Sequence, residues 1–253
     1  MSGNIITIDG PSGAGKSTIA RLVALRLGLR YLDTGAMYRA LTLHCMRAAV
    51  HLDNPKEIAD SLKDVKLSVK LKQEGPMLVF LDDEDITDKI RSQEVTRNIH
   101  YVADVMEVRN FLVDMQRKIG EAGNLVTEGR DQGTLVFPNA SLKIYMFATP
   151  EVRARRRHTE LKQRGAETSY EEVLEDVSKR DYLDMGRELG GLKKALDAVE
   201  LDTSELNPEQ VAESIVKLAK SRLKMQTRKI DKSALDAARR EEEERRKRAE
   251  GEK

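Results

Sequence analysis

The fold of this 253-residue chain is decided by one stretch near its start, Gly10-Pro11-Ser12-Gly13-Ala14-Gly15-Lys16-Ser17. The stretch fits the pattern Gly-x-x-x-x-Gly-Lys-Ser/Thr in full, and an apolar, strand-like run precedes it at residues 4–9. Apolar side chains then recur at helical spacing from Ile19 to Leu27, and Gly28 ends the run. A strand, a glycine-rich turn and a helix in this order predict an α/β protein with a phosphate-binding turn after its first strand.

Each residue type in this turn has a chemical reason. The glycines let backbone N–H groups point inward, and the helix that begins near Lys16 adds the positive end of its dipole. We expect Lys16 to reach the β and γ oxygens of a nucleoside triphosphate and the Ser17 hydroxyl to ligate Mg²⁺. The alternative, a glycine turn that caps a helix and binds nothing, is disfavoured by the preceding strand and the Lys-Ser pair. The predicted ATP phosphate-binding residues are Gly10, Pro11, Ser12, Gly13, Ala14, Gly15, Lys16, Ser17 and Thr18.

Composition restricts the class of protein. Hydrophobic residues make up 40% and charged residues 34%, and no apolar run is long enough to cross a membrane. Because Asp9 interrupts the first apolar run and the single Cys45 cannot form an internal disulfide, we expect no signal peptide and a cytoplasmic protein. The net charge of +1 implies no general attraction to nucleic acid or membranes, so any anion site must be local.

Two later loops are candidates for holding a second substrate. Thr34 and Arg39 lie around the start of a helix, where a hydroxyl, backbone N–H groups and a guanidinium can bind a phosphate. A capping Thr with a solvated Arg is the alternative. Arg130 and Asp131 follow the apolar strand at residues 125–127, at the sheet edge where ligands bind, although a local ion pair would also explain them.

Arginines are concentrated on two predicted helices. The first, at about residues 151–164, carries three candidate lid residues, Arg153, Arg156 and Arg157. The second presents three residues on one face, Arg180, Asp184 and Arg187. Arginine faces are usually solvated, but beside a polyphosphate several guanidinium groups would neutralise a migrating phosphoryl group. The two helices, joined through Gly165, therefore predict a lid that excludes water from the closed site.

Three further segments have distinct patterns. Apolar and polar residues alternate from Val65 to Leu71, and a second apolar run follows at residues 77–81, which predicts a β-hairpin. The four acids at 82–85 lack the ligand spacing of a Ca²⁺ site, so we expect a solvated turn. Blocks of acidic and basic residues without an apolar stripe predict a charged tail, helical or disordered, at 226–253.

Four motifs together resemble bacterial-type cytidylate kinase over residues 4–224. They are ITIDGPSGAGKST at 6–18, LDTGAMYR at 32–39, EGRDQGT at 128–134 and RDYLDMGR at 180–187. The first motif is shared by many phosphate-loop proteins, whereas the other three, in this order and with a hairpin insert between them, are far more specific.

The resemblance implies a nucleoside monophosphate kinase fold, in which helices flank a five-stranded parallel sheet and a small β-hairpin insert and a helical lid are added. It divides the chain into a core at 1–63, a monophosphate-binding insert at 64–100, and a second core part at 101–225 with the lid around 153–187. It also implies transfer of the γ-phosphoryl group of ATP to CMP or dCMP with Mg²⁺. We expect a monomer that acts on small molecules, without membrane or nucleic-acid partners.

The resemblance also assigns residues by position. Thr34, Arg39 and Arg130 are implied to surround the acceptor nucleotide and its phosphate, and Arg187 to lie at the acceptor site. Arg109 and Asp131 are implied at the cytosine, and Arg180 and Asp184 at the sugar, while Arg156 and Arg157 close over the phosphates. The candidate catalytic residues are Lys16, Arg130, Arg180 and Arg187. One departure affects base selectivity, because His100 stands where the family typically has a Ser that helps to hold the base.

Two other functions stay open at this point. A phosphate-loop kinase for another small acceptor, such as UMP, AMP or a metabolite alcohol, fits the first motif equally well. Arg109 with Asp131 disfavours it, because together they present donors and an acceptor to a cytosine edge. A nucleotide-dependent switch is the other alternative, and the chain lacks the Asn-Lys-x-Asp signature of guanine-binding switches.

Overall fold

The computed structural model describes residues 3–72, 77–163, 165 and 167–225. Within them the chain forms an α/β fold with a five-stranded parallel sheet, which confirms the predicted fold class. In chain order the strands are β1 (Ile5–Asp9), β2 (Arg30–Asp33), β3 (Leu67–Lys70), β4 (Leu78–Leu81), β5 (Glu84–Asp85), β6 (Leu125–Gly129), β7 (Leu142–Phe147) and β8 (Val199–Asp202). The large sheet has the order β2-β6-β1-β7-β8, and the small antiparallel sheet has the order β3-β4-β5.

Eight α-helices accompany these strands in the described residues. They are α1 (Lys16–Leu27), α2 (Thr34–Arg47), α3 (Pro55–Ser61), α4 (Gln93–Ala103), α5 (Met106–Glu121), α6 (Pro150–Gln163), α7 (Tyr170–Gly186) and α8 (Pro208–Leu223). A 3₁₀ turn at Lys89–Arg91 and a π-helical turn at Gln132–Val136 complete the elements. None of the helices described here combines the length and apolar character that a membrane span needs.

The chain forms two compact units, the first built on Ala24–Leu125 and the second on Asn4–Val23 together with residues 126–225. In the first unit the small sheet buries alternate residues of β4, Val79 and Leu81, on one face. Asp82 and Asp83 have φ of +49° and +68° and form the tight turn between β4 and β5, as predicted, whereas Glu84 and Asp85, which we expected in the same turn, form β5. The domain boundaries implied by the resemblance stay predictions.

The second unit is built around β1, which pairs in parallel with β7 so that Ile6 lies opposite Leu142 and Ile8 opposite Ile144. The strands β1 and β7 are buried on both faces, which explains their mainly apolar sequences. The helices α6 and α7 pack through a small apolar cluster of Ala154, Val173 and Val177. These apolar side chains therefore form one of the contacts between the two arginine-bearing helices.

Several local signals in the sequence are confirmed. The capping box of Ser169 and Glu172 begins α7, and Asn207 caps α8 with Pro208 at its first position. The hairpin is present as β3 and β4. The turn of that hairpin at 74–76 and the predicted tail at 226–253 lie outside the described residues.

Candidate active site

The phosphate-binding loop lies in the second unit between β1 and α1. Gly10 has a φ of +154°, and a Cβ there would come 2.0 Å from the carbonyl oxygen of Met146, so any larger residue would clash. Gly15 has a φ of +86°, which L side chains rarely adopt, and nothing lies within 4 Å of its Cβ position. The loop is therefore packed closely against β7 at Gly10 and has open space at Gly15. The open space is what an approaching anion requires.

Lys16 and Ser17 are the first residues of α1 and make contacts beside this loop. The Lys16 Nζ donates to the carbonyl oxygen of Pro11 at 2.8 Å. Burial, and next the neighbouring Arg130, lower the pKa of Lys16 to about 7. The Ser17 Oγ donates to Oε1 of Glu128 at 2.8 Å, near the carboxyl end of β6. An anion in the loop would therefore relieve the cost of a buried ammonium group.

Asp9 holds the segment that follows β6. Its carboxylate accepts hydrogen bonds from the backbone N–H groups of Gln132 at 2.9 Å and Gly133 at 2.7 Å, which begin the π-helical turn. Burial raises the pKa of Asp9 to about 7, although the two N–H donors act in the opposite direction. Asp9 therefore ties the end of β1 to the loop that carries Arg130 and Asp131.

Asp184 on α7 is surrounded by arginines. The Arg130 Nε donates to Asp184 Oδ2 at 2.7 Å, and Arg187 Nη1 lies 3.2 Å from Oδ1. Burial would raise the pKa of Asp184, but Arg130, Arg187 and Arg180 together lower it to about 2. Burial would likewise lower the pKa of Arg130, and Asp184 reverses that effect and raises it. The ion pair of Arg130 thus reaches α7 and is not the purely local pair considered from the sequence.

The three candidate lid arginines lie on α6 and contact protein groups. Arg153 is buried and donates to the carbonyl oxygens of Ala148 at 2.9 Å and Ser12 at 3.1 Å, and it also pairs with Asp181. Arg156 donates to the carbonyl oxygen of Thr203 at 2.5 Å. Arg157 is more exposed and pairs with Glu160 at 3.4 Å. Arg153 therefore connects the phosphate loop to α6 and α7.

In the first unit, Asp33 organises the start of α2. It caps the helix by accepting from the Ala36 N–H at 2.9 Å, so Thr34 is the first helical residue and the capping role considered for it is wrong. The same carboxylate lies 3.3 Å from Arg39 Nη2 and 3.6 Å from Arg91 Nη2. The Arg39 Nε is buried without a hydrogen-bond partner among the described residues. Thr34 is buried at the positive end of the helix dipole, so hydroxyl, dipole and guanidinium groups converge here.

The remaining candidates of the first unit lie on α4 and α5. Arg109 is buried, donates to the carbonyl oxygen of Ala103 at 3.0 Å and lies 5.5 Å from the ring centre of Tyr38. The His100 Nδ1 lies 2.8 Å from the carbonyl oxygen of Arg97, so we place a hydrogen on Nδ1. In the neutral ring Nε2 is then an acceptor. The imidazole lies against the Tyr101 ring, with 4.0 Å between the ring centres.

Comparison with known proteins assigns the chain to a family. A family model described as Cytidylate kinase matches residues 6–221. The chain belongs to the cytidylate kinase family. A cytidylate kinase from Clostridioides difficile (strain 630) is 43% identical over 216 residues, which are 85% of this chain and 98% of that protein. A cytidylate kinase from Fusobacterium nucleatum is 43% identical over 217 residues, or 86% of this chain and 97% of that protein.

The cytidylate kinase match covers every candidate site residue, from Gly10 to Arg187. Among solved structures, shikimate kinase from Bacteroides thetaiotaomicron aligns with 88% of this chain and 99% of its own, at 14% identity and a TM-score of 0.43.

Several polar residues that lie among the site residues of this cytidylate kinase family member were not identified as candidates from the sequence. They are Asp9, Asp33, Arg91, Glu128 and Gln132. Three of them are acids at or near the carboxyl end of a buried strand, a position that predicts site residues in a parallel sheet. Arg91 ends a short 3₁₀ turn that no periodic pattern marks, so no signal identified it.

Proposed function

We propose that this chain transfers the γ-phosphoryl group of ATP to CMP or dCMP, giving ADP and CDP or dCDP. The observation that carries the proposal is the phosphate loop beside the arginine cluster around Asp184, in a member of the cytidylate kinase family. A loop of this kind needs only Lys and backbone N–H groups to hold a nucleotide. The additional guanidinium groups supply charge where a phosphoryl group migrates.

The loop residues Gly10 to Thr18 bind the triphosphate in this proposal. Open space at Gly15 admits the phosphates, and Lys16 exchanges the Pro11 carbonyl for β and γ oxygens. Because phosphate charge favours the ammonium form, the pKa of Lys16 rises when ATP binds. Arg156 and Arg157 of α6 close over the phosphates, while Arg153 fixes α6 to the loop through Ser12.

Ser17 and Glu128 fit a Mg²⁺ ion that binds together with the nucleotide. Their Oγ and Oε1 atoms are hard ligands only 2.8 Å apart, beside the phosphate-binding loop. The described residues contain no group of three or more His, Cys, Asp or Glu side chains that could hold a metal. Such a cage is not needed for Mg²⁺, which keeps several waters and binds substrate phosphates. When bound, the ion would neutralise charge on the triphosphate oxygens.

The acceptor is held by a second set of residues in this proposal. Thr34 and Arg39 bind the phosphate of CMP, and Arg109 and Asp131 bind the cytosine, with His100 at the base. Arg130, Arg180, Asp184 and Arg187 bind the sugar and phosphate and neutralise the charge of the reaction. Three of these arginines already pair with carboxylates, Arg39 with Asp33 and both Arg130 and Arg187 with Asp184, so these guanidinium groups are oriented before substrate arrives.

The reaction needs no general base. An oxygen of the acceptor phosphate is already an anion, and it forms a bond to the γ phosphorus as the bond to the β–γ bridging oxygen breaks. The electron pair of that bond leaves with ADP. The chain contributes alignment of the two nucleotides and donors for the oxygens on which charge develops.

We also propose that the protein acts as a monomer in the cytoplasm on these small molecules. The single Cys45 is buried, and the charge of +1 leaves the anion sites local.

The test is ADP formation from ATP and Mg²⁺ with CMP, dCMP, UMP or AMP as acceptor, or with none. We expect CMP and dCMP to give the highest kcat/KM. A preference for UMP or AMP would overturn the choice of substrate, and ADP formation independent of acceptor would favour the switch.

A pair of variants in α5 separates acceptor binding from folding. R109M should raise the KM for CMP by about 10- to 100-fold and leave the KM for ATP nearly unchanged, since it removes a charged donor from the base. K118M changes a basic residue on the exposed face of the same helix and should leave both values unchanged. Equal losses of CMP and ATP use in R109M would argue that Arg109 serves the fold.

A further inference from the structure

Gln132 forms a hydrogen-bonded link between β6 and the carboxylate of Asp131. Its Oε1 accepts from the Thr127 Oγ1 at 2.9 Å, and its Nε2 donates to Asp131 Oδ1 at 3.3 Å. All three side chains are buried. The opposite orientation of the Gln132 amide would place its oxygen against the Asp131 carboxylate, and the two oxygens would repel each other. The hydrogen bonds therefore assign the amide nitrogen to the side of Asp131.

The backbone of Gln132 is held independently of this side chain. Its N–H donates to Asp9 Oδ1 at 2.9 Å, and its carbonyl oxygen accepts from the Phe137 N–H at 2.7 Å. These two bonds fix the π-helical turn at both ends. An apolar side chain of similar volume would therefore satisfy the fold at position 132, and a buried amide needs another explanation.

We infer that Gln132 is a positioning residue that orients the Asp131 carboxylate and thereby favours cytosine over uracil in the acceptor. The inference rests on the proposed function, in which Asp131 faces the base. At the position where the two bases differ, cytosine carries an amino donor and uracil a carbonyl acceptor. A carboxylate held in one orientation accepts a hydrogen bond from the amino group of cytosine. With uracil the same carboxylate would face a carbonyl oxygen, and because it cannot rotate away, the two oxygens would repel each other.

Thr127 extends the argument to a second residue. Its hydroxyl is the donor that keeps the Gln132 amide oriented, and it reaches Asp131 only through that amide. Removing the hydroxyl should therefore reproduce part of the effect of removing the amide. The two changes should also be non-additive, because they interrupt the same chain of hydrogen bonds.

The test compares kcat/KM for CMP and UMP in the full-length protein. Q132M should lower the ratio of the CMP value to the UMP value by about 3- to 10-fold, the effect of one lost hydrogen bond, and leave the KM for ATP unchanged. T127V should lower the ratio in the same direction, and T127S, which keeps the hydroxyl, should restore it. T7V is the matched control, since the Thr7 hydroxyl is also buried in the sheet but has no hydrogen-bond partner among the described residues.

The outcomes separate the inference from the proposed function. If wild type forms ADP with CMP and Q132M keeps the wild-type ratio, the inference is overturned and the function stands. If wild type shows no CMP-dependent ADP formation, the function fails and the inference fails with it. Thermal unfolding shows whether Q132M folds. If it does not, the comparison of T127V with T127S and T7V tests the inference instead. Equal ratios of the CMP to the UMP kcat/KM in these three variants would overturn it.

Discussion

The guanidinium of Arg153 and the carboxylate of Asp181 form a bidentate ion pair, with nitrogen–oxygen distances of 2.9 and 2.5 Å. The pair joins α6 to α7, and the same guanidinium donates to Ser12 in the phosphate loop. One arginine therefore anchors the helices predicted as a lid to the loop that they would close over.

R153M should lower the free energy of unfolding by about 3 kcal/mol, because it removes a buried guanidinium and leaves the partly buried Asp181 charge without its partner. R155M, on the exposed face of the same helix, should change it by less than about 0.5 kcal/mol. Urea unfolding monitored by circular dichroism measures both. Similar values for the two variants would show that the ion pair contributes little.

D184N should lower the free energy of unfolding by about 2 kcal/mol near pH 7, because the pKa of Asp184 is depressed to about 2 from its usual 3.8. A depressed pKa stabilises the folded state above the unfolded pKa of about 4, and that stability is lost as the pH falls towards 2. The difference between wild type and D184N should therefore shrink between pH 5 and pH 2. Denaturant unfolding at several pH values measures it, with the exposed D114N as control; a difference independent of pH would contradict the prediction.

ATP binding at pH 8 should take up protons through Lys16. Its pKa of about 7 leaves most of the amine neutral at that pH, and the phosphate charges raise the pKa again. Titration calorimetry in buffers of different ionisation enthalpy measures the uptake. K16M should abolish it, whereas K118M should keep it. Equal uptake in wild type and K16M would assign the proton to another group.

G10A should destabilise the protein by about 3 kcal/mol or more, since the new Cβ would lie 2.0 Å from the Met146 carbonyl oxygen. Gly186 offers the matched control, because it ends α7 and nothing lies within 4 Å of its Cβ position. G186A should therefore be neutral or stabilise by up to about 1 kcal/mol. Thermal unfolding compares the two, and a G10A protein as stable as wild type would show that the loop can move away from β7.

The elements that the sequence predicted correctly carry their signals locally. Gly10 to Ser17 form a contiguous pattern, and the caps at Ser169 and Asn207 lie within a few residues of the helices they begin. The helix α3 was missed because its seven residues are too few for periodicity to mark, although Asn54 and Pro55 are a recognisable start signal.

Long-range partners could not be predicted. Arg130 pairs with a residue 54 positions away, and Asp9 holds a backbone N–H 123 positions away. Alternation and helical spacing describe neighbours along the chain, so they contain no information about which carboxylate an arginine will meet. The π-helical turn depends on such a contact, which explains why the pattern of residues 132–136 did not reveal it.

Asp33 caps α2, accepts a hydrogen bond from Arg39 and forms an ion pair with Arg91. Natural variation at this position is therefore constrained twice. In the proposed function Arg39 holds the acceptor, so an apolar substitution of Asp33 that frees this arginine also removes the helix cap and lowers the stability of the fold. New acceptor preferences would arise more readily at positions such as His100, whose contacts lie within its own helix and neighbouring ring.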